Sequence, residues 1–282
     1  KLEKVSDTLN FPNGSLVVKA AWKILGDGDD ELRKTAYVKK GAKLYQLENY
    51  KEFVVTSDEL PNGQKEKYKK ITEDVALIGL HIAVVVKGHP EFIWVTFEHK
   101  SNAPNREKIC NRENIQYALY GEEKINESNF ETIFVDKGNS QEIKRKKDST
   151  KMVTKVVREY KYGSRDSDSL NVQNIEHINI SVYDNLPESS SLWKNYREIG
   201  AIWFKGEDKL EPDWAPNPRS DRESLLTGSK ILSSAVIETF TQTEEDKYNN
   251  CFKCHHTKKY YSHDYYGVVK IYGLYICLFE TI

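Results

Sequence analysis

Two apolar segments constrain this chain more than any other feature. Val75 to Val86 is rich in Val, Ile and Leu, and Phe92 to Glu98 follows after only Lys87, Gly88, His89, Pro90 and Glu91. Twelve positions interrupted by Gly79 and His81 are too few to span a bilayer. Two β-branched runs joined by a short turn-rich link predict a hairpin. A symmetric five-residue loop would set Val86 opposite Phe92, His81 opposite Phe97 and Gly79 opposite His99. His81, Ile93, Val95, Phe97 and His99 would then share one face, with the two histidines as diagonal neighbours about 7–8 Å apart between Cα atoms.

Further strands are expected from period-two alternation. Leu16, Val18, Ala20, Trp22 and Ile24 read as a half-buried strand after the turn Pro12, Asn13, Gly14, and shorter ones are expected at Thr35 to Val38, Lys43 to Leu47 and Tyr50 to Thr56. Tyr117 to Tyr120, Thr132 to Val135 and Val153 to Tyr162 fit short strands or helices, and Asp136 to Thr150 reads as a polar loop whose Lys144, Arg145, Lys146 and Lys147 are either solvated or a docking patch. Ser189, Ser190 or Ser191 offers a cap for a helix carrying Leu192, Trp193 and Tyr196, and Pro212, Pro216 and Pro218 mark an extended loop around Trp214. Leu232, Ala235, Val236 and Phe240 recur at helical spacing between Ser229 and Thr241, and Val268 to Phe279 reads as a closing strand or packing segment. The expected fold class is therefore α+β. A β-rich region over residues 1–220 would carry a helical C-terminal attachment segment over 221–282, as two units or one.

Charge narrows the function classes. Lys and Arg number 42 against 43 Asp and Glu, and this balance offers no basic excess for a nucleic-acid backbone. With 38% apolar residues the chain is hydrophilic, yet 5 Trp, 17 Tyr and 10 Phe supply core anchors that disordered chains lack.

The four cysteines are Cys110, Cys251, Cys254 and Cys277, and two of them form the run Cys251, Phe252, Lys253, Cys254, His255. C-x-x-C-H is the attachment signature of c-type haem. Two thiols must add to the two vinyl groups of the porphyrin while the next residue brings its imidazole beneath the iron. Cys251 and Cys254 are thus the expected thioethers and His255 the proximal iron ligand. A zinc site competes poorly, because Cys110 and Cys277 are isolated and His255 with His256 would crowd four ligands into six residues. A redox dithiol would need the motif to open a helix after a buried strand. One motif implies one covalent haem c. The only methionine, Met152, lies upstream in a polar stretch, which removes the usual downstream Met ligand of small cytochromes.

Several segments together resemble a known group. Val18-Lys19-Ala20-Ala21-Trp22, Gly79-Leu80-His81-Ile82, Ile93-Trp94-Val95-Thr96-Phe97-Glu98-His99, Asn102-Ala103-Pro104 and Glu238-Thr239-Phe240-Thr241-Gln242 ahead of the cysteine motif look like a group of bacterial cytochrome c family proteins with a single C-terminal haem motif. The resemblance covers both ends of the chain and leaves roughly Lys108 to Ser220 unmatched. It implies an exported protein with one covalent haem and no established substrate. Because covalent haem attachment in bacteria follows export, a periplasmic or extracellular location is expected. The start at Lys1, Leu2 and Glu3 fits a leader already removed.

The second axial position decides the role. His81 stands in an apolar strand, where a buried imidazole needs a partner, either iron or an ordinary hydrogen bond. His99 is the alternative ligand and His263 follows; an open position is the remaining case. Two protein ligands would make the chain an electron-transfer protein serving a redox partner protein rather than a catalyst. An open distal site would instead suit a peroxidase-like haem enzyme or a binder of gases and small molecules. Cys110 and Cys277 are available for one disulfide under oxidising conditions.

Overall fold

The computed structural model describes residues 12–47, 50–55, 68–105, 117–119, 130–135, 142–146, 152–154, 156, 158, 160–164, 169–205, 226–232, 234–237, 251–254 and 275–281. In chain order the elements are β1 (Leu16–Ile24), α1 (Asp30–Thr35), β2 (Val38–Leu47), β3 (Tyr50–Val55), β4 (Tyr68–Val86), β5 (His89–His99), β6 (Phe130–Val135), β7 (Glu142–Lys146), β8 (Met152–Thr154), α2 (Ser169–Asn185), β9 (Tyr196–Phe204), β10 (Leu226–Gly228), α3 (Cys251–Cys254) and β11 (Tyr275–Thr281). Eight strands form one sheet in the order β10-β9-β5-β4-β1-β11, with β2 paired to β4 and β3 to β2. A second sheet runs β6-β7-β8. Every strand pair is antiparallel.

The expected α+β class is overturned. The fold is β-rich and mostly antiparallel sheet, with three α-helices among the described residues. The segment Ser229 to Thr241, expected to be helical, runs in turns and non-helical chain over its described residues, 229–232 and 234–237, and Phe240 lies outside them. The Ser234 hydroxyl accepts from the amides of Val236 and Ile237, both at 3.2 Å. Such a local side-chain bond competes with the helical ladder. Its apolar residues still point inward: Leu232, Ala235, Val236 and Ile237 are all buried. Tyr196, expected in a helix, opens β9 after a 3₁₀ segment at Glu188–Asn195. Thr35 ends α1 rather than starting a strand, and Lys144, Arg145 and Lys146 lie in β7 rather than in a loop. The tail does close the sheet, since β11 pairs with β1 from Val17 opposite Thr281 to Lys23 opposite Tyr275. The proline-rich stretch around Trp214 lies outside the described residues.

The hairpin exists, but its register differs by one residue from the symmetric expectation. The turn is Lys87–Gly88, and β5 already begins at His89, which pairs with Val86. Three residues, Pro90 to Phe92, then oppose the single residue Val85, and Phe92 adopts a left-handed φ of 72°. Past this irregularity His81 faces Thr96, Gly79 faces Glu98 and Ala83 faces Trp94. His81 therefore shares a face with Trp94, Thr96 and Glu98, while His99 lies on the opposite face with Ile93, Val95 and Phe97.

Strand β4 serves two neighbours in succession along one edge. Residues 68–76 pair with β2 and residues 79–86 with β5, while β1 runs along the other edge. Where β2 leaves and β5 enters, the ladder is completed by a side chain. The Tyr196 hydroxyl donates to the Leu77 carbonyl at 2.8 Å and accepts from the Tyr37 amide at 2.9 Å. One face of the sheet is covered by the turns at 229–237. Val236 lies over Gly79 so closely that a Cβ on that glycine would come within 2.5 Å of its methyl, and Ser229 crowds Gly200 in the same way. Glycine is required there by the approach of another segment rather than by backbone conformation.

Candidate functional site

The cysteine motif forms α3, a single turn whose N-terminal position is Cys251. On a helical turn, positions three apart fall on one side and the position after the first lies about 100° round. That intervening position is Phe252, and it anchors the turn. Its side chain is 2% exposed and belongs to a cluster with Ile199, Ile202, Phe204, Leu226 and Leu232, with Trp94 and Cys251 packed against it. The Phe252 ring meets Phe204 edge-on at 4.5 Å and Trp94 edge-on at 6.4 Å between centroids. Burying one phenylalanine is worth about 2–3 kcal/mol, enough to fix a four-residue turn that has no helical stability of its own.

Trp94 connects the turn to the sheet. It pairs with Ala83 on β4, one step along the same face from the pair His81–Thr96. His81 and the cysteine turn are thus held against the same face by neighbouring residues of β4 and β5. His81 is 9% exposed and Thr96 is fully buried, and Nδ1 of His81 lies 2.8 Å from the Thr96 hydroxyl. The Thr96 hydroxyl thereby takes the Nδ1 side of the ring.

His99 has a different environment. Its ring packs edge-on against Tyr196 at 5.2 Å, and Nδ1 accepts from the Ser101 amide at 3.2 Å. Burial lowers its pKa to about 4, partly opposed by the nearby Thr35 carbonyl. It is a neutral imidazole locked into the junction of β2, β5 and β9, remote in register from the cysteine turn. The same burial raises the Tyr196 phenol to about 12, so its hydroxyl stays protonated and able to donate. The structure does not bring His81 and His99 to one surface, contrary to the expectation from a symmetric loop.

Residue spacing gave no hint of a buried charge cluster on the His81 face. Glu98 is fully buried, and its Oε2 is bound by the Arg158 guanidinium, which is 1% exposed. Its Oε1 accepts from the Ser234 hydroxyl at 3.0 Å and the Ala235 amide at 2.8 Å. Arg158 also donates to the Ala103 carbonyl and the Asn105 side chain. Arg197 pairs with Glu98 across β5 and β9; burial and then the neighbouring Arg158 lower its pKa. One carboxylate thereby ties β5 to the turns at 234–237 and to the chain around Arg158. The only sequence signal was the Phe97-Glu98-His99 triplet, whose partners lie far along the chain.

A c-type haem, the group the motif implies, fits these residues in two respects. The two cysteine positions fall on one side of an anchored helical turn, and a buried imidazole stands on the sheet face against which that turn packs. His255, His256, His263 and Cys110 lie outside the described residues. Cys277 pairs in the ladder with Ala21. Among the described residues no group of three or more His, Cys, Asp or Glu is arranged to hold a metal ion by itself, and no helix is long and apolar enough to cross a membrane. No family model, curated protein or solved structure matches the chain.

Proposed function

We propose that the chain is a monohaem c-type cytochrome that transfers electrons in the cell envelope, with haem bound covalently through Cys251 and Cys254 and ligated by His255 and His81. The observation that carries this reading is the Cys251-Phe252-Lys253-Cys254-His255 run on a turn pinned by Phe252. A bound haem supplies a one-electron ferric–ferrous couple.

The chain's own residues do the rest. Phe252, Trp94 and Phe204 exclude water from the side of the turn that packs on the sheet. His81, rather than His99, is the distal ligand in this reading, supported by its place on the motif's face and by the Thr96 contact at Nδ1. His255 and His81 together would hold the iron with two protein ligands, which would favour electron transfer with a redox partner protein over small-molecule chemistry.

The deciding experiment is the mass of the exported protein under denaturing conditions, combined with its absorption spectrum. The expected result is a mass raised by one haem, with low-spin iron unaffected by carbon monoxide. A chain mass without haem would overturn the reading. Retained haem with high-spin iron would keep the covalent attachment and replace electron transfer by an open-site chemistry.

A further inference from the structure

We infer that Thr96 is a positioning residue for the iron ligand, fixing the tautomer and ring plane of His81 through Nδ1; this rests on the haem reading above. The Thr96 hydroxyl lies 2.8 Å from His81 Nδ1, and the two residues are a direct cross-strand pair of β4 and β5. Thr96 is fully buried and His81 is 9% exposed, so water is largely kept from competing for this contact. A β-branched residue in a strand has few χ1 choices, and Thr96 is fully buried at its place opposite Gly200 on β9. The hydroxyl is therefore held at a fixed point.

When a histidine binds metal through Nε2, the proton must sit on Nδ1, and an acceptor at Nδ1 makes the imidazole a stronger donor. Thr96 Oγ1 stands where that acceptor is needed. The neighbouring strand supplies the same geometry on its other side only as Lys19, which pairs with His81 from β1 and carries no acceptor. Glu98, the nearest carboxylate along the same face, has both oxygens occupied by Arg158, Ser234 and Ala235.

The test compares Thr96→Val, which keeps the shape and removes the hydroxyl, with Thr96→Ser, which keeps the hydroxyl, both as haem-loaded full chains. The readouts are the electron paramagnetic resonance spectrum, the reduction potential and the affinity of the ferric protein for cyanide, which must displace His81. The expectation for Thr96→Val is an altered low-spin signal, a raised potential and cyanide binding about 10–100-fold tighter, in line with the loss of an outer partner of a metal ligand. Thr96→Ser should restore all three towards the parent. If Thr96→Val does not fold, Thr96→Ala removes the hydroxyl without bulk and is expected to behave as Thr96→Val. Unchanged potential and cyanide affinity in the hydroxyl-free variant, while His81→Ala abolishes the low-spin signal, would overturn the positioning role and leave the haem reading standing. An unchanged spectrum in His81→Ala would overturn both the ligand assignment and this inference.

Discussion

His99 shows how a single residue reveals whether its surroundings are functional or structural. Its ring is completely buried, its Nδ1 accepts from Ser101 and its pKa is lowered by burial to about 4. Because the folded value lies below the ordinary value of about 6.5, the unfolded chain takes up the proton first as the pH falls. His99 therefore stabilises the fold fully above pH 6.5, and that contribution is lost progressively towards pH 4. The shift corresponds to roughly 3 kcal/mol at most. Urea unfolding of the parent and of His99→Gln at a series of pH values checks this: the stability gap between them should narrow as the pH drops from 7 to 4. A gap constant over that interval would show that His99 does not titrate with folding. His81 differs in that its Nδ1 meets a hydroxyl within the site rather than a backbone amide at a loop. Both residues were visible in the sequence as imidazoles in a β segment. Which of them faced the motif was not, because that depended on a register shift.

At the scale of elements, the register error and the missed helix have specific causes. Pairing along β4 and β5 shifted by one residue because Pro90, a residue without an amide proton, sits in the first turn of the returning strand, where Phe92 is left-handed. A one-residue slip exchanges the two faces of a strand, so the expectation paired the correct segments and reversed the partner of His81. Helix α2 escaped notice because Ile178, Ile180 and Val182 alternate like a strand, and all three are exposed in the helix. Only Ile175 along its length is buried, so its sequence carries almost no amphipathic signal. Strand β4 was legible because its burial alternates from Gly79 to Val86, whereas β1 carries the apolar alternation in sequence but buries Ala21, Trp22 and Lys23 in succession, past a register shift between Ala21 and Trp22. The close approach of the 229–237 turns to the sheet yields the element-scale prediction. Gly79→Ala places a methyl against Val236 and should cost about 1–3 kcal/mol by overpacking. Combining it with Val236→Ala should recover part of that loss, giving clear non-additivity in a double-mutant cycle followed by chemical denaturation. Simple additivity would mean that the two do not meet.

For the molecule as a whole, the decisive pairing joins the two ends of the described chain. β11 lies along the outer edge of β1 over seven residue pairs, and the cysteine turn falls in sequence between β10 and β11, two edge strands of the same sheet. The turn itself packs on the sheet through Phe252, beside Ile199, Ile202 and Phe204. The cysteine spacing was readable from local sequence alone; the pairing of β1 with β11 was not, because its partners are separated by nearly the whole chain. Deleting residues 275–282 tests it. Without β11 the edge of β1 is open, and about seven ladder hydrogen bonds are lost at a net value of roughly 0.5–1 kcal/mol each. The expected result is a loss of roughly 3–7 kcal/mol in chemical denaturation, accompanied by concentration-dependent self-association, since an uncovered strand edge is a template for pairing with another copy. A truncated chain that keeps the parent's denaturation midpoint and stays monodisperse would show that β11 adds nothing to the sheet. In that case the cysteine turn would depend on Phe252 and its neighbours alone, and Phe252→Ala would release it.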